Sequence, residues 1–141
     1  MERINPPELP RPSGFSHAVS VSAASVSAAS AGAGRLVFLA GQTGLDADGQ
    51  VVPGGVVEQF ERALHNLLVA LAAAGGHAAD LVSMTIYIVN IDDYRAHSAQ
   101  IGTVWRRLAG AEYPAMAAVQ VSRLWDPAAV VELQGIAAPL S

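Results

Sequence analysis

A single carboxylate stands inside an apolar strand pattern near the end of the chain. In Ala129-Val-Val-Glu-Leu-Gln-Gly-Ile136, alternation puts Val130, Glu132, Gln134 and Ile136 on one face and Val131, Leu133 and Gly135 on the other. Such a carboxylate either meets solvent or sits in a pocket, where burial raises its pKa and suits it to proton handling. The pattern by itself favours solvent. Asp92-Asp93 is a carboxylate pair, but it falls at a helix start, where free N–H groups make capping the expected role. His17, His65, His77 and His97 include no pair at metal-ligand spacing and are expected to be surface or packing residues; only His17, in the loop-like Gly14-Phe-Ser-His17, is kept as a candidate. Serines crowd residues 13–30 without a Gly-x-Ser-x-Gly elbow, which argues against a serine hydrolase. Asp46, Asp48 and Gly49 begin like a calcium loop, but no acidic closing residue follows at the required spacing, so no metal is expected.

Composition removes further chemistries. The 141 residues contain no Cys and no Lys, which excludes thiolate nucleophiles, a lysine-bound pyridoxal phosphate and a phosphate loop ending in Gly-Lys. A net charge of -4 with only Arg106-Arg107 adjacent gives no basic stripe, so nucleic acid is not an expected partner. Hydrophobic residues reach 52% against 14% charged, more apolar surface than one core needs, and subunit contacts are the natural place for the excess. The length suits one domain over 1–141. MERINPPELPRPSGF lacks the apolar run of a signal peptide and reads as an extended arm, 1–13, of a cytoplasmic protein. The apolar run at 56–74 is broken by Glu58, Glu61, Arg62, His65 and Asn66 and is not a membrane span.

The elements that must position these residues follow from periodicity. Residues 20–30 repeat Ser-Val-Ser-Ala-Ala, a five-residue period that fits neither helix nor strand, and 20–34 is expected to lengthen the first strand or a loop. Arg35 to Ala40 reads as a buried strand, and Leu45 to Val52 as a hairpin turning on Asp48-Gly49. Val56, Phe60, Ala63, Leu64, Leu67, Leu71 and Ala74 recur at helical steps and close on Gly75-Gly76. Leu81 to Asn90 predicts a strand, Asp92 can cap a second helix ending at Gly110, and strands are expected at 115–121 and 129–138. Two helices cannot cover both faces of such a sheet, so they belong on one face, with another subunit expected on the other.

Taken in order, Leu36-Val-Phe-Leu-Ala-Gly-Gln42, the helix from Gln59 to Gly75 followed by Asp80-Leu81-Val82, Thr85-Ile-Tyr-Ile88, Tyr113-Pro-Ala115 with Val119 and Val121, and Glu132 before Gly135-Ile-Ala137 resemble the RidA (YjgF) family of imine and enamine deaminases. The resemblance spans about Gly14 to Ala138. It implies an α+β, chorismate-mutase-like fold: a mixed six-stranded sheet with two helices on one face, assembled as a homotrimer with a central barrel and small-molecule pockets between subunits. It further implies hydrolysis of 2-imino acids to 2-keto acids and ammonia without metal or cofactor, with Glu132 as the water-handling carboxylate.

In the family's deaminases an arginine follows Pro-Ala and clamps the substrate carboxylate through its planar fork. Here that position is Met116, which has neither charge nor donor, and a carboxylate ligand should lose a few kcal/mol. The serine that usually precedes Gly-Gln is Ala40, and an aromatic near the start of the first strand matches Phe15. The implied ligand-binding set is Phe15, Ala40, Gly41, Gln42, Tyr113, Pro114, Ala115 and Met116, with Glu132 catalytic. Two readings stay open: hydrolysis of an imine, enamine or related metabolite without a carboxylate at the clamp position, or a non-catalytic trimer that binds a metabolite or a protein.

Overall fold

The computed structural model describes residues 1–22 and 34–140; most of the Ser/Ala repeat, 23–30, lies outside them. Six strands form one sheet: β1 (Glu2–Ile4), β2 (Ala18–Ser22), β3 (Arg35–Gln42), β4 (Leu81–Ile88), β5 (Ala115–Gln120) and β6 (Val131–Ala137). Their order is β1-β2-β3-β6-β4-β5, antiparallel throughout except for the parallel pair β4–β5. The parallel pair requires a crossover, and the helical segment between β4 and β5 supplies it.

Helix α1 (Val56–Ala73) begins where the Glu58 carboxylate turns back to accept a hydrogen bond from the Gly55 N–H at 2.8 Å, and ends at Gly75, whose φ of +77° is the left-handed angle of a helix stop. Its apolar stripe, Phe60, Leu64, Leu67 and Leu71, is fully buried against Val37 and Leu39 of β3 and Val131 and Leu133 of β6. Each of those side chains contributes roughly 1.5–3 kcal/mol by leaving water. The second helix differs from the periodicity reading. It is broken into α2 (Ile91–Ala96) and α3 (Ser98–Ala109), because His97 leaves helical angles at φ −108° and ψ 14°. Its cap is Asn90, whose side chain accepts from the Asp93 N–H, and Asp92 lies in the first turn. All three helices lie on one face of the sheet, where Met84, Ile86 and Ile88 also point.

Three expectations about strands need correction. The hairpin at Leu45–Val52 closes only an isolated bridge, Leu45 to Val51, because Asp46 Oδ1 draws the Asp48 and Gln50 N–H groups into a tight turn and Pro53-Gly54 ends any further pairing. The arm, in turn, contains β1, which pairs Arg3 with Val19 on β2. The strand Arg35–Gln42 is buried on one face only: Leu36 and Phe38 are each 44% exposed on the face away from the helices.

Candidate functional site

Glu132 projects from β6 onto the face without helices, as the alternation placed it. Beside it the β3–β6 pairing slips between Leu39 and Gln42, so Ala40-Gly41 forms a bulge. A Cβ on Gly41 would collide with the Glu132 carboxyl oxygen, so glycine there is what lets the carboxylate lie against the β3 backbone. On the other side Glu132 is registered with Tyr87 of β4, whose hydroxyl donates to Gln134 Oε1 at 3.0 Å. The carboxylate is half-buried, and that burial raises its pKa. A carboxylate held in this way can accept a proton from a water molecule and return it.

Met116 lies elsewhere. It is registered with Met84, a core residue on the helix side, and four residues further along the strand, on the same face, Gln120 Oε1 accepts the Ile91 N–H that opens α2. Met116 therefore faces a cleft of about 230 Å³ between β5 and the helices, shared with Phe60, Ile86, Tyr94, Ile101 and Trp105. Tyr113 closes its end by stacking on Trp105, with ring centroids 5.3 Å apart and planes 13° from parallel, while Trp105 Nε1 donates to the Glu112 carbonyl. Pro114-Ala115 is the corner that delivers the chain from this stack into β5. Burial pushes the Tyr94 hydroxyl up to about 12, so it stays protonated at neutral pH.

Phe15 and Gln42 form a third group around His17. The His17 ring is buried; its Nε2 donates to the Pro10 carbonyl at 2.9 Å, which leaves Nδ1 to accept from the Gln42 amide at 3.0 Å. Phe15 packs edge-on to the ring at 5.2 Å and remains half-exposed. His17 is thus a latch that pins the arm to β3, and the Gln42 side chain is engaged in that latch.

The single chain brings Ala40, Gly41 and Glu132 together, and Tyr113, Pro114, Ala115 and Met116 together, but keeps the two clusters apart. Glu132 shares a row with Tyr87 and Val119, whereas Met116 shares one with Met84 and Gly135. The clusters are thus separated by three residues of strand, about 10 Å, and two strand spacings, about 10 Å, and face opposite sides of the sheet.

Two positioning residues were not singled out by sequence reasoning. Gln59 bridges α1 to the β5–β6 connection, donating to the Ala128 carbonyl and accepting from the Val130 N–H, and Asn66 donates to the carbonyls of Thr43 and Leu45. Both are buried polar residues one helical turn from the apolar stripe, a pattern that does mark a side chain obliged to find backbone partners. Among the described residues no group of His, Asp and Glu converges as a metal site, and no helix is long and apolar enough to cross a membrane.

Residues 16–139 match the family model described as Endoribonuclease L-PSP. A 2-iminobutanoate/2-iminopropanoate deaminase from Capra hircus is 38% identical over 104 residues, 73% of this chain and 72% of the relative. The structure of RidA from an Antarctic Psychrobacter superimposes with a TM-score of 0.79 at 26% identity, covering 99% of this chain and 100% of the other. The YjgF gene product from E. coli shares the fold with a TM-score of 0.79 at 23% identity, over 98% of each chain. The chain is therefore a member of the endoribonuclease L-PSP family, the RidA (YjgF) family, whose relatives include imine deaminases.

Proposed function

We propose that this chain hydrolyses a neutral imine or enamine in a pocket formed between subunits of a homotrimer, with Glu132 positioning the attacking water. The observation that carries the reading is the Glu132 carboxylate itself, half-buried, with its pKa raised, and lying in the space that Gly41 leaves. In this reading Glu132 accepts a proton as the water oxygen bonds to the imine carbon, and that proton reaches nitrogen. Collapse of the resulting carbinolamine breaks the C–N bond and releases ammonia and a carbonyl product.

The substrate lacks a carboxylate at the clamp position because Met116 and Ala40 offer it no cation and no hydroxyl. A subunit interface supports the same reading, since the Glu132 and Met116 clusters face opposite sides of one sheet and can share a ligand only if neighbouring chains each contribute one. The ligand-binding set remains Phe15, Ala40, Gly41, Gln42, Tyr113, Pro114, Ala115 and Met116, with Gln42 acting through the His17 latch.

The test incubates a metabolite extract and a set of neutral imines with native protein and with Glu132→Gln. Ammonia release that disappears in Glu132→Gln is the expected result. A ligand that stays bound and unconsumed by the native protein would instead establish a binding module and overturn the hydrolytic reading.

A further inference from the structure

Resting on the reading that Met116 belongs to the ligand pocket, we propose that its cleft takes a flat, uncharged ring, such as the aryl group of an aryl ketimine, with the Tyr94 hydroxyl as the hydrogen-bond donor. The lining carries no charged side chain: beside Met116 it includes Phe60, Ile86, Ile101 and Trp105, together with Ser98 and Gly102. Its volume of about 230 Å³ suits one substituted ring, since a dry apolar cavity of about 150 Å³ already admits benzene.

Two features show that the space is kept open. Gly102 lies inside α3, where glycine is unfavourable relative to alanine, yet an added Cβ would meet no atom within 4 Å. Packing does not call for glycine there, whereas a larger side chain would project into the cleft. Tyr94 packs edge-on against Phe60 at 6.2 Å, and its hydroxyl has no hydrogen-bond partner among the described residues. The hydroxyl of this half-buried phenol is therefore available to donate to an acceptor on a ligand.

Trp105 is a built-in reporter. Trp125 is 99% exposed, so Trp125→Phe leaves Trp105 as the one tryptophan without disturbing the core. In that background, acetophenone, a ketone of the type an aryl ketimine would yield, is titrated beside benzoate and ethylbenzene. Acetophenone is expected to give a saturable change in Trp105 emission and to bind at least tenfold more tightly than benzoate. Gly102→Leu should abolish the change while melting no lower than the parent, and Tyr94→Phe should weaken acetophenone several-fold and leave ethylbenzene unchanged. Equal binding of benzoate, insensitivity to Gly102→Leu, or no saturable binding of acetophenone would each overturn the proposal. These titrations are independent of Glu132, so a cleft that binds without turnover and a turnover that ignores the cleft are distinguishable outcomes.

Discussion

The contact between Gly41 and Glu132 is the point at which a single atom decides the chemistry. Gly41→Ala adds a methyl where the carboxyl oxygen lies, and the carboxylate must swing away. Overpacking of this kind costs about 1–3 kcal/mol, and turnover is expected to fall at least tenfold; unchanged turnover of a neutral imine would show that the carboxylate need not rest there. The raised pKa of Glu132 also fixes the sign of a stability effect. Its folded pKa lies above the unfolded value, so the folded chain holds the proton longer, and stability is lost as pH rises from about 4, the ordinary carboxylate value, through the folded pKa. Glu132→Gln removes that loss, and thermal melts across this range should show a flatter profile than the native protein, with equal or higher stability near neutrality. Alternation was enough to set Glu132 on the face opposite Val131 and Leu133, but nothing in the sequence pattern marks the bulge that brings Gly41 under it, because a one-residue slip in register is a property of two strands.

At the scale of elements, α1 was legible because eighteen residues of regular apolar spacing leave little choice. The second helix was legible as helix but not as two, since the break at His97 involves a ring nitrogen bonded to the Asp93 carbonyl, and composition does not distinguish that from a surface histidine. The arm hid β1 behind Pro6, Pro7, Pro10 and Pro12, and the pairing of Arg3 with Val19 depends on the turn that His17 holds. His17→Ala removes bonds to both Pro10 and Gln42, so exchange of the Glu2–Ile4 amides should accelerate by orders of magnitude while the α1 amides stay protected. Equal protection in the variant would show that the arm is held by β1 pairing alone. Gln59→Leu leaves the Ala128 carbonyl and the Val130 N–H without their partner and should cost about 1–3 kcal/mol in denaturant melts.

For the whole molecule, the sheet face opposite the helices carries Leu36, Phe38 and Val82 in partial exposure, and a groove of about 220 Å³ bordered by Phe38, Thr85, Gln134 and Ile136 crosses it. That surplus is the one anticipated from 52% hydrophobic content, and we propose that the trimer closes on this face. Phe38→Glu places a charge there, and light scattering should show a shift from three times the 14.5 kDa chain mass toward one; a native monomer would contradict the assembly. The candidate site was only half legible for a related reason. The types of Glu132 and Met116 are plain in the sequence, but their separation onto opposite faces of one chain is a matter of register.

We propose that Met116 and Ala40 make apolar a pocket that binds a carboxylate in the family's deaminases. This is tested most directly by generating 2-iminopropanoate in situ and comparing keto-acid release by the native chain with that by Met116→Arg/Ala40→Ser. Release near background is expected for the native chain, with a clear gain in the double variant. A native rate equal to that of an arginine-bearing relative would contradict it.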